Sequence, residues 1–118
     1  VAMPRREPND AELRVLSRPT GLARMATVDA DGLPHVVPTV WKHDPATGDL
    51  LLTGRSLAGT VRVRNVAAHP WAAAVIDGVG DGPGWRPWGV TLRGPARYDA
   101  DVAAIRLTPT HVSSWGLD

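Results

Sequence analysis

Apolar residues fall along this chain in short runs that mostly alternate with polar ones, and turn residues separate the runs. That is the pattern of half-buried strands in an antiparallel sheet. Residues 22–28 (LARMATV) predict a strand, and the turn Asp29-Ala30-Asp31-Gly32 returns it into 35–41 (HVVPTVW), so the two form a hairpin. Pro38 removes a ladder donor from the returning strand, which predicts an edge, a bulge or a place that something else approaches. A second turn at 44–49 leads to a strand at 50–53, and 71–77 (WAAAVID) is a nearly continuous apolar run, as in a strand covered on both faces. After a Gly/Pro-rich loop at 78–87, alternation resumes in 88–98, with Val90 and Leu92 facing one way and Thr91 and Arg93 the other. Gly94-Pro95 marks a bend or bulge there. Short strands at 105–107 and 111–115 close the chain.

Helical signals are fewer. Asn9 or Asp10 can cap a helix that runs to Arg18, with Glu12 in its first turn, Leu13 and Leu16 on one side and Pro19 ending it. Residues 56–69 predict a second helix, with Ser56 as N-cap and His69-Pro70 as its stop. The expected fold is mainly β: a small six-stranded antiparallel barrel with short flanking helices, in one domain spanning 1–118.

Composition adds mostly exclusions. A net charge of +1 gives no general pull toward nucleic acid or membrane, so any basic site must be local. The absence of cysteine excludes disulfides, thiol nucleophiles and thiolate metal sites, and suits a cytoplasmic protein. No apolar run approaches a membrane span, and the N-terminal VAMPRREPND lacks the apolar core of a signal peptide. Five tryptophans with no phenylalanine, beside abundant Ala, Val, Gly, Arg and Pro, match a GC-rich genome.

One stretch carries candidate chemistry. From Arg55 to Pro70 there is no acidic residue, Arg55 precedes the predicted helix, and Arg62 and Arg64 lie within it. A helix start with its free N–H groups and nearby arginines makes an anion site. Solvated helix arginines are the plain alternative, and Arg55 could pair instead with an acid such as Asp49. Histidines at 35, 43, 69 and 111 lack metal-ligand spacing, so no zinc site is expected. His35 reads as an exposed strand residue and His69 as a helix C-terminal one. Ser56, Ser113 and Ser114 lack the G-x-S-x-G setting of a serine hydrolase, and GVGDGPG has no helix after its glycines. Trp41, Trp85, Trp88 and Trp115 could line a flat-ring pocket, with core or interface packing the plain reading of each.

The order DADGLPHVVPTVW, a strand ending TGRS, R-x-R-N with HP downstream, a buried strand ending ID, WRPWGVTLRG and a final SWGL resembles the pyridoxamine 5'-phosphate oxidase-like split-barrel family. More narrowly, it resembles the actinobacterial branch that uses the deazaflavin coenzyme F420, over nearly the whole chain. The resemblance implies a six-stranded split β-barrel, usually a homodimer, with the cofactor in a groove where subunits meet. By the same resemblance the phosphate sits at the strand-to-helix junction against Arg55, Ser56, Thr60, Val61 and Arg62, with Asn65 matching the family's Asn. Pro38 and Thr39 match the segment along the ring system, Trp85-Arg86-Pro87 matches the W-R-P signature, and Trp115 is the tryptophan assigned to a pocket or interface. Two departures stand out: Trp88 replaces the Arg common after W-R-P, and only 99–104 stands where a longer helical insertion is usual, which implies a substrate pocket short of one wall.

The expected function is hydride transfer between F420 and a small organic substrate. No side chain is assigned as catalytic, since the cofactor carries the chemistry. The alternatives are an FMN-dependent oxidase or reductase of the same fold, and a non-catalytic cofactor-binding protein. Neither a nucleic-acid nor a membrane partner is expected.

Overall fold

The computed structural model describes residues 5–19 and 21–117. Residues 1–4, which begin the stretch considered above as a leader, lie outside them, as do Thr20 and Asp118. Helix α1 (Asp10–Leu16) is followed by strands β1 (Gly21–Val28), β2 (Pro34–His43) and β3 (Leu50–Thr53). A 3-10 turn (Leu57–Gly59) and helix α2 (Val61–Ala68) come next. Strands β4 (Trp71–Val79), β5 (Pro87–Asp99), β6 (Ala104–Leu107) and β7 (His111–Trp115) complete the chain.

All pairings are antiparallel. The order β4-β1-β2-β3-β6-β5, with β4 also pairing β5, closes a six-stranded barrel. Strand β5 makes this possible by its length: one edge pairs with β4, while the other serves β7 at Gly89–Arg93 and β6 at Ala96–Asp99. Gly94 lies at the changeover. A Cβ there would collide with the Thr108 carbonyl, so only glycine lets the β6–β7 connection pass so close.

The predicted alternation is observed, and β4, expected to be covered on both faces, alternates too: Ala72, Ala74 and Ile76 are buried while Trp71 is exposed. Inward positions Met25, Trp41, Leu52, Val90, Leu92, Ile105, Leu107 and Val112 are all buried. Helix α1 closes one end, though not on the predicted face. Glu12, Val15 and Leu16 are buried, while Leu13 is half-exposed. The reason is Glu12. Its carboxylate caps the Asn9 N–H at 2.8 Å and receives a bidentate ion pair from Arg5, 2.8 Å at each oxygen. Arg5 in turn bridges to Val112 of β7. This network holds the Glu12 carboxyl well below its usual range, at about 2, chiefly through the Arg5 hydrogen bonds. The helix stops at Leu16, with Ser17 rather than Arg18 at its end.

The second predicted helix is also corrected. Ser56 is not its N-cap: it sits in the left-handed region (φ 51°) and makes no capping bond. A 3-10 turn that ends at Gly59 precedes α2, whose N-cap position is Thr60. His69 ends α2 as expected, its N–H bonding the Asn65 carbonyl at 2.8 Å.

Candidate functional site

Strand β3 pairs with β2 only from Val40 to His43, so residues 34–39 of β2 keep one edge open. Pro38 lies in that open part and is exposed, as suits a residue with no N–H to offer. Thr39 beside it is buried, and its hydroxyl donates to the Thr53 carbonyl, which ties β2 to the end of β3. The chain leaves β3 at Gly54, passes the loop of Arg55 and Ser56, and enters α2. The sequence-predicted cofactor residues 38, 39, 55, 56 and 60–62 therefore border one region of the molecule.

Within it their roles differ. Thr60 gives both its N–H and its hydroxyl to the Leu57 carbonyl, at 3.0 and 2.7 Å, so it shapes the loop. Arg64 donates to the Gly59 carbonyl at 3.1 Å and fastens the same loop from outside. Arg55 and Ser56 are exposed. The suggested Arg55–Asp49 pair does not form: Asp49 instead bonds Arg106 at 3.2 Å and Thr108 at 2.8 Å. The first intrahelical bond of α2 runs from the Arg64 N–H to the Thr60 carbonyl, so the amides of Val61, Arg62 and Val63 have no intrahelical acceptor.

Arg62 is the unusual residue. It is 9% exposed, its Nε is buried without a hydrogen-bond partner, and no carboxylate among the described residues pairs with it. Burial pushes its guanidinium below its ordinary pKa. It packs over Gly54, where a Cβ would collide with one of its terminal nitrogens. A buried cation without a counter-ion is costly, and an anion placed against it removes that cost. One helical turn further, Asn65 is also buried and donates to Thr27 of β1 at 3.0 Å, which fixes α2 against the barrel.

Other predicted residues lie apart from this junction. Trp115 pairs with Gly89 and packs over it, whereas Pro70 at the exit of α2 bonds Ala96, roughly 24 Å further along β5 at strand rise. Trp85 and Arg86 lie in the β4–β5 loop and Pro87 starts β5; Arg86 donates to the Asp81 carbonyl at 3.2 Å. His35, expected to be exposed, is half-buried on the inward-facing positions of β2, with a buried Nδ1. The short 99–104 segment is a tight turn, with Asp99 paired to Ala104. Among the described residues no group of acids and histidines could hold a metal ion, and no helix is long and apolar enough to cross a membrane.

Strand order, closure and the loop-to-helix junction define a split-barrel protein. The same fold occurs in an FAD-binding protein from Mycobacterium smegmatis (TM-score 0.63, 22% identity, 91% of this chain and 93% of that one). It occurs also in a candidate pyridoxamine 5'-phosphate oxidase from Corynebacterium glutamicum (TM-score 0.65, 16% identity, 91% and 93%). No family model matches the chain. In sequence it is 31% identical over 112 residues to the 5a,11a-dehydrotetracycline/5a,11a-dehydrooxytetracycline reductase of Streptomyces rimosus, across 86% of this chain and 78% of the relative. The chain belongs to the family of that reductase.

Proposed function

We propose that this protein is an oxidoreductase that holds the phosphate of a flavin-type cofactor at the β3–α2 junction. The cofactor in this proposal is F420, and the substrate is a small organic acceptor, such as the conjugated polycycle named for the Streptomyces relative. The observation that carries it is Arg62, a buried and uncompensated cation beside three free helix amides and a glycine cradle. These groups fit a phosphate: the guanidinium offers charge-assisted N–H donors, and the amides add fixed dipoles.

When bound, the cofactor supplies the hydride. The chain supplies the rest. Arg62 and the amides of 61–63 fix the anionic end, Thr39 holds β2 to β3 through Thr53, and exposed Pro38 on the open edge offers a flat, donor-free surface for a ring. Leu22 and Val40, exposed and paired with each other at one end of the β1–β2 wall, support a homodimer whose contact would cover that end. A cytoplasmic location accords with a cysteine-free chain.

FMN is the alternative cofactor, and a bound phosphate would engage the same donors. A reaction mixture with reduced F420 and 5a,11a-dehydrooxytetracycline tests the proposal. Oxidation of the cofactor in step with substrate reduction is expected. Turnover with reduced FMN and none with reduced F420 would favour the alternative, and binding without turnover of either would leave a cofactor carrier.

A further inference from the structure

A second concavity lies on the outer wall of the barrel, past the far end of α2. The cleft opens beside Trp71, which follows the C-terminal end of α2, whereas Arg62 stands at the N-terminal end of that helix. It has a volume of about 260 Å³. Its floor is made of small residues from neighbouring strands, since Ala26 of β1 pairs with Ala73 of β4. Next along the same row come Arg93 of β5, paired with Ala73, and His111 of β7, paired with Arg93. On the other side stands Trp71, which is 53% exposed, with Val28 and Pro34 beside it.

Its two sides have different chemistry. The floor and the Trp71 wall are apolar and flat, so they suit an aromatic or conjugated ring. The opposite side ends in a guanidinium that no carboxylate pairs among the described residues. His111 has Nδ1 engaged with the Thr110 hydroxyl at 2.9 Å, which leaves Nε2 for a ligand. An arginine fork recognises a planar carboxylate by two parallel bonds. Nothing here resembles the phosphate junction, because no helix start or glycine loop lines the cleft.

We infer that this cleft binds a planar organic carboxylate, with its ring between Trp71 and the Ala26–Ala73 floor and its carboxylate on Arg93. The inference stands apart from the cofactor reading, because it uses none of the junction residues. Room for one or two fused rings makes 2-naphthoate a suitable probe, with uncharged 2-naphthamide as control.

The test is a titration followed by amide and indole chemical shifts of the whole chain. Saturable 2-naphthoate shifts centred on Trp71, Ala73, Arg93 and His111 are expected, with the amide control binding at least tenfold more weakly. Arg93→Gln should lose most of the affinity, and Ala73→Leu, which fills the floor, should abolish binding while the remaining spectrum keeps its native dispersion. Arg62→Ala should leave 2-naphthoate binding unchanged, which separates this site from the cofactor junction. Failure to saturate, shifts centred elsewhere, or equal binding of acid and amide would overturn the inference. So would shifts at Trp71 and Arg93 that follow protein concentration and ignore the probe, because a second copy of the chain would then cover the cleft.

Discussion

Glu12→Gln should destabilise the protein by about 2 kcal/mol at neutral pH. The carboxylate is fully buried, takes two 2.8 Å bonds from Arg5 and caps Asn9. Glutamine can keep the cap and one Arg5 contact, but it loses the charge. A carboxyl held at about 2 against an ordinary 4.5 corresponds to about 3.4 kcal/mol at 1.36 kcal/mol per unit. Arg5 is 45% exposed, and solvent screening reduces this to about 2 kcal/mol. At about 2.1 cal/mol/K per residue the unfolding entropy is roughly 250 cal/mol/K, so the melting temperature should fall by about 8 °C. The pH dependence has a definite sign. The folded pKa is depressed, so the stabilisation is complete above about 4.5 and disappears as pH falls through about 2. At pH 3 the gap between native and variant should be less than about half its value at pH 7. Thermal melts followed by circular dichroism at the two pH values measure it. Equal melting temperatures at pH 7, or a gap that does not change with pH, would refute the reasoning.

Arg106 is 14% exposed and bonds Asp99 at 2.7 Å, Asp49 at 3.2 Å and Asp44 at 3.3 Å, so Arg106→Gln leaves Asp44 and Asp49 without their cation and Asp99 with only the longer Arg97 contact at 3.7 Å. Denaturant unfolding should show a lower midpoint for the variant, partly recovered when Asp44→Asn is added. Gly54→Ala should lower cofactor affinity by displacing the Arg62 guanidinium, with a smaller effect on melting temperature, as shown by paired binding and melting measurements.

The barrel was largely legible in the sequence because alternation is a local signal. Val90 and Leu92 faced the core as their spacing predicted, whereas Gly94-Pro95, expected to bend or bulge β5, keeps an unbroken register with β4. Side-chain roles set by distant partners were less legible. Leu13 had the better pattern for the buried face of α1, yet Glu12 took it, because Arg5 and the strand it bridges lie across the fold. Ser56 had the chemistry of a cap, but a cap needs extended backbone and Ser56 is left-handed. Among the basic residues of the junction, composition could not separate Arg62 from Arg64, and only the family resemblance put Arg62 first. Burial separates them: Arg62 turns inward over Gly54, while Arg64 fastens the loop. The Trp71–Arg93 cleft had no sequence signal at all, since its members come from five strands.

The central claim is that Arg62 receives the anionic end of the cofactor. Titration of F420 and FMN into the native protein, Arg62→Ala and Arg64→Ala, followed by ligand fluorescence, tests it most directly. Charge-assisted hydrogen bonds contribute about 1.5–3 kcal/mol, so Arg62→Ala should weaken F420 binding by about 10- to 100-fold, while Arg64→Ala stays within about threefold of native. Native affinity in Arg62→Ala would contradict the account.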